Sequence, residues 1–112
     1  LRSMNPEHRA AQLQTLIERL RRLVPILTAD ADCVWARHFA NCLHRAETFA
    51  DGFTQDDLNG LSSSVMSVYG GMGSFNDYVA YGAGGRPVDG FAGLCGDVYD
   101  AALNLRVIEA QP

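Results

Sequence analysis

Lysine is absent from this chain: all nine of its basic residues are arginine. That absence excludes a P-loop, whose G-x-x-x-x-G-K-[ST] signature places a lysine on the phosphates. The arginines are also outnumbered, nine against 13 Asp and Glu, for a formal net charge of −4. The balance argues against DNA or RNA as the main partner, because neutralising phosphates takes a cationic face. It is compatible with a basic protein partner. No apolar run approaches the roughly 18 residues of a membrane span, and no signal peptide is evident. Cysteine is scarce. Cys33, Cys42 and Cys95 form neither a CxxC nor a Cys/His metal spacing. Cys33 and Cys42 fall on one predicted helix, about 13 Å apart along it and too far apart to bridge. An odd count in apolar surroundings reads as reduced thiols, hence a cytoplasmic protein. No cofactor and no metal site is expected.

What remains is an ordinary globular composition, 47% hydrophobic and 20% charged over 112 residues. That is one domain, large enough to bury about 65% of its unfolded surface without metal or disulfide staples. Leu1-Arg2-Ser3 ahead of Met4 reads as a cloning remnant, leaving residues 4–112 as a single helical domain.

Hydrophobic spacing supplies the elements. Asn5-Pro6-Glu7 is a helix start. Leu13, Leu16, Ile17, Leu20, Leu23, Val24 and Leu27 then fall at the 3/4 alternation of one face. Pro25 predicts a kink near 21–25 or a break into a second short helix. Asp30 or Asp32 is expected to cap a second helix over 31–50, with Trp35, Phe39, Cys42, Leu43 and Ala46 inward. Asp51-Gly52 ends it. Thr54 and Asp57 form a capping-box-like start to a third helix, which runs to about residue 69. Residues 75–81 read either as a short strand, from their β-branched and aromatic content, or as a short extra helix, which Ser74 favours, and Gly82-Ala83-Gly84-Gly85-Arg86-Pro87 is a loop. A last helix begins near Asp89. Its Gly93 and Gly96 either weaken it or admit a close neighbouring helix. The fold class expected is all-α: a bundle of four main helices with a Gly-rich turn.

No arrangement of residues points firmly to catalysis. Ser62-Ser63-Ser64 lacks the G-x-S-x-G of a nucleophile elbow. His38, Asn41 and Arg45 make a row better suited to a solvated face than to a metal. His38 and Cys42, four apart on a helix, are a conceivable thiol–imidazole pair, but the stripe puts Cys42 in the core, where thiols are inert. Asp30, Asp32, Asp51, Asp56 and Asp57 gather at helix ends, where capping or an acidic rim facing a basic protein accounts for them. The protein is expected not to be an enzyme.

The most particular segment is Tyr69-Gly70-Gly71-Met72-Gly73-Ser74-Phe75-Asn76-Asp77. Three glycines in four positions, each costing a helix about 1 kcal/mol, force a sharp turn. The segment resembles the signature of an uncharacterised bacterial domain family of small helical proteins, Gly-Gly-Met-Gly-Ser-(Phe/Leu)-Asn-Asp. Asp30-Ala-Asp-Cys-Val-Trp35-Ala36 is similar to a second feature of that family, and the likeness spans roughly residues 10–105. The chain departs from the pattern at 82–85. The family carries no established enzymatic activity, and small acidic bacterial proteins of this kind resemble immunity proteins, which bind and block a cognate toxin. By that resemblance the partner is a toxin, and the contact residues are Tyr69, Met72, Phe75, Asn76 and Tyr78 with Asp51, Asp56 and Asp57. The aromatic residues suit core packing equally, and the sequence leaves both readings open. Two other functions stay open: a small-ligand or regulatory module beside the glycine turn, and a homodimer through Tyr99, Leu103 and Val107 of the last helix.

Overall fold

The computed structural model describes residues 6–70, 74–82 and 85–106. Four α-helices carry the fold: α1 (Pro6–Thr28), α2 (Ala36–Thr48), α3 (Gln55–Met66) and α4 (Phe91–Leu105). Single 3-10 turns occupy Phe49–Asp51 and Phe75–Asp77. α1 packs on α2 and α4, and α3 packs on the same two helices, so the four close into a ring around one core. The all-α bundle read from the spacing is the fold.

Leu13, Leu16, Ile17, Leu20, Leu23 and Leu27 are buried as the α1 stripe requires. Of the two outcomes expected at Pro25, a kink or a break, the break does not occur: α1 is one helix through Thr28. Pro25 lies in the last turn on the exposed side, where the hydrogen bond that its missing N–H costs is cheapest to lose. At the far end of the bundle, the buried Arg9 guanidinium donates to the carbonyls of Asn104 and Leu105. It thereby caps the C-terminus of α4 with a positive charge, the favourable sign at that pole.

α2 begins at Ala36, five residues later than expected, and Trp35 precedes it without a side-chain cap. Asp30 does not cap it. Asp30 Oδ1 instead accepts from the Asp32 N–H (3.0 Å), in a tight turn closed by Cys33 N to Asp30 O (3.0 Å). Cys33 therefore lies in that turn, not on α2. The capping box of α3 forms as read: Thr54 Oγ1 accepts from Asp57 N, and the Asp57 carboxylate accepts from Thr54 N. Thr54→Ala should lower stability by about 1 kcal/mol in a urea melt. A midpoint unchanged within error would mean that the α3 start is held by packing alone.

The connection between α3 and α4 contains the glycine turn. Gly70 takes φ +112°, a backbone open chiefly to glycine. Phe75 N then donates back to Val68 O (2.9 Å), folding the turn onto the end of α3. The short helix expected over 75–81 is only one 3-10 turn, with Ser74 Oγ accepting from Asn76 N. Beyond it the chain extends. Gly82 N to Arg86 O (2.7 Å) and Val88 N to Ala80 O (2.9 Å) pair it with 86–88 in a small hairpin. Ala80 points inward while Val79 and Tyr81 point out, the alternation of an extended segment.

Candidate functional site

The glycine turn places Phe75 at the centre of an aromatic cluster. Phe75 is 2% exposed and meets Phe39 (ring centroids 4.7 Å apart), Tyr69 (5.4 Å), Trp35 (6.1 Å), Tyr78 (6.1 Å) and Phe91 (6.3 Å). Tyr69 in turn packs edge-on against Tyr99 of α4 (5.0 Å). The two tyrosines of the turn have their hydroxyls engaged. Tyr69 Oη donates to Cys95 O (2.8 Å), and Tyr78 Oη donates to Asp30 Oδ2 (2.7 Å). Burial pushes both phenols well above their ordinary pKa, and the Asp30 carboxylate adds to the shift at Tyr78.

The Tyr78 hydrogen bond, helped by the Asp32 N–H, holds the Asp30 carboxyl below the usual carboxylate range. A depressed folded pKa contributes stability that is present above the unfolded carboxylate value and lost as pH falls through the folded one. Tyr78→Phe should therefore raise the Asp30 midpoint in an NMR titration of its carboxyl carbon, though not fully to the ordinary value, since the Asp32 donor stays. An unmoved midpoint would refute the link between the Asp30 turn and the hairpin.

Beside this cluster lies an open groove of about 880 Å³. Tyr69, Phe75, Tyr78, Phe91 and Tyr99 line it from the cluster, Val79, Pro87 and Val88 from the hairpin, and Ala92, Gly93, Gly96 and Asp100 from α4. Gly93 and Gly96 do not admit a neighbouring helix, as one reading of the sequence had it. Among the described residues, a Cβ at either position would meet nothing within 4 Å, so both face open space. Among the described residues, Asp89 and Asp100 are the only charged side chains lining the groove; both are exposed, and no ion pair among the described residues involves either. Asp97, nearby on α4, is held by Arg19 (3.3 Å).

The contact residues expected from sequence divide into two places. Tyr69, Phe75, Asn76 and Tyr78 all line the groove: Phe75 as its buried floor, Tyr69 and Tyr78 half-buried, Asn76 exposed. Met72 lies outside the described residues. Asp51, Asp56 and Asp57 sit where α2 gives way to α3 and do not line the groove. Gln55 Nε2, next to them, donates to Leu105 O (2.8 Å), which puts this acidic corner at the C-terminal end of α4. The groove runs along the helix from Phe91 to Asp100. Of the proposed homodimer face, Tyr99 is half-buried against Tyr69, Leu103 is exposed, and Val107 is outside the described residues.

Sequence reasoning missed Asp89, Gly93, Gly96 and Asp100 as one surface. The available signal was two glycines off the buried stripe of an otherwise apolar helix.

The remaining candidate chemistry is occupied. His38 Nε2 donates to Ser64 O (2.8 Å), with Cys42 Sγ 3.7 Å from the same nitrogen. Burial raises the Cys42 thiol to about 11, which keeps it protonated at neutral pH. Cys95 is raised to about 11 by the same cause. Arg45 donates to Ser64 Oγ (2.9 Å). No group of three or more His, Cys, Asp or Glu able to hold a metal occurs among the described residues. No helix is long and apolar enough to cross a membrane among them.

Residues 28–89, more than half of the chain, match the family described as Domain of unknown function (DUF6966), and the chain belongs to that family. The matched stretch contains the Asp30–Ala36 turn, the glycine turn and the hairpin, and is narrower than the 10–105 likeness read from sequence. No curated protein and no solved structure matches the chain.

Proposed function

We propose that this protein is a non-enzymatic immunity protein: it binds a cognate antibacterial toxin and blocks it by occlusion. The observation that carries the reading is the groove, an aromatic floor beside bare helix backbone whose charges, among the described residues, are carboxylates. Such a surface suits a few buried anchors from a partner, with charge complementarity speeding and orienting the encounter. The cluster behind it holds the floor rigid, so little ordering entropy is lost on binding. The acidic balance of the whole chain favours a basic toxin in the same way.

The test is growth protection. The partner captured on the tagged chain from its source cells is expressed alone and then together with the chain. Growth arrest alone and growth together is the expected pair of results. A captured partner that does no harm when expressed alone would remove the inhibitor reading.

One observation favours a second reading. The groove volume lies within the range of about 300–1,000 Å³ common to small-molecule pockets. Its carboxylates would select a neutral or cationic ligand over a nucleotide or phosphate. A rise in melting temperature with a small amine, and none with a protein partner, would move the function to that class.

A further inference from the structure

We infer that the groove is the docking site for one kind of partner segment: an aliphatic or aromatic anchor side chain flanked by arginine or lysine. The inference rests on the protein-binding reading above and names the chemistry that the partner must bring.

Three features of the groove lead to it. First, the aromatic floor presents rings rather than hydroxyls at Tyr69 and Tyr78. The hydroxyls of Tyr69 and Tyr78 are used inside the fold, on Cys95 O and Asp30, so they offer the groove their rings. An anchor that fills it gains burial and ring contacts at little polar desolvation cost. Second, one wall is unclad helix backbone. Gly93 and Gly96 each cost α4 about 1 kcal/mol relative to alanine. Open space beyond both Cβ positions means that no internal packing requires them. What their absence of side chains does is leave room for an incoming chain to lie close to α4. Third, the charges are of one sign. Asp89 precedes the helix and Asp100 lies nine residues after Phe91, about 14 Å along the axis, so the carboxylates bracket the groove lengthwise. Neither is in an ion pair among the described residues, and Arg19, which reaches α4, is already paired with Asp97. A segment carrying Arg or Lys beside its anchor can lay the aliphatic stem on the aromatic rings and set the charged head against a carboxylate. An acidic segment would meet repulsion at either end.

The test is selection from a random 12-residue displayed peptide library on the immobilised protein. The expected consensus is an aliphatic or aromatic residue with Arg or Lys within a few positions. Binding of the selected peptide should weaken about 10-fold in the Asp89→Asn, Asp100→Asn double variant, and should also weaken at raised salt. No enriched sequence, a consensus without basic residues, or affinity indifferent to the double variant would overturn the inference. So would tryptamine binding the groove as tightly as the peptide, or a concentration-dependent dimer that Gly96→Leu abolishes. These would assign the groove to a small amine or a second copy. The two proposals fail separately. A toxin whose binding ignores the double variant and Gly96→Leu leaves the immunity reading standing and removes this one. A basic consensus with a harmless captured partner does the reverse.

Discussion

Phe75→Ala should destabilise the protein by about 3–5 kcal/mol, the usual cost of removing a buried phenylalanine. Against a total stability of about 5–15 kcal/mol for a native domain, that is enough to leave a sizeable fraction unfolded at 37 °C. The reason is position. Phe75 touches five other rings, drawn from α2, α4, the turn before α2 and the segments on either side of it. Its backbone N–H closes the glycine turn on Val68. Deleting the ring leaves a cavity that the packed neighbours can only partly fill. Phe75→Leu keeps most of the volume and should cost less than half as much. Urea melts of the two variants make the comparison. A loss under about 1 kcal/mol for Phe75→Ala would mean that the turn is a surface appendage and that the groove floor is not rigid.

Gly96→Leu should do the opposite to the two properties measured. The fold should stay or gain up to about 1 kcal/mol, because a helical glycine is replaced at a position where the new Cβ meets nothing. Binding of a groove-directed peptide should fall by about 30-fold or more, the size of a hot-spot loss, because the new side chain stands in the groove. Gly96→Ala separates the terms: most of the gain in stability, and a smaller loss of binding. A Gly96→Leu protein that melts early would mean that some internal contact does depend on the glycine. One that binds unchanged would take the groove out of the interface.

The helices were legible because their determinants are local. The α1 stripe from Leu13 to Leu27 repeats every three or four residues, and the Thr54–Asp57 box closes within one turn. Asp30 was misassigned because its partner is distant. Next to a helix an aspartate reads as a cap, yet this one is claimed by Tyr78, 48 residues away. Phe75 and Tyr78 could not be placed in or out, since an aromatic residue after a sharp turn has no periodicity to obey. The structure makes Phe75 interior and leaves Tyr78 half-buried at the groove. Gly93 and Gly96 were ambiguous for a related reason. A glycine in a helix signals bare backbone, but only the fold tells whether a neighbour or open space lies over it. The groove is therefore a product of tertiary placement: the turn set against α4, and Asp89 and Asp100 brought to one surface.

The central claim is that partner binding runs through this groove. The most direct measurement is an amide chemical-shift titration of the 15N-labelled protein with its captured partner domain. The account expects the largest changes at Tyr78, Val79, Gly93, Gly96 and Asp100. Changes confined to the acidic corner of Asp51, Asp56 and Asp57, with the groove unmoved, would contradict it.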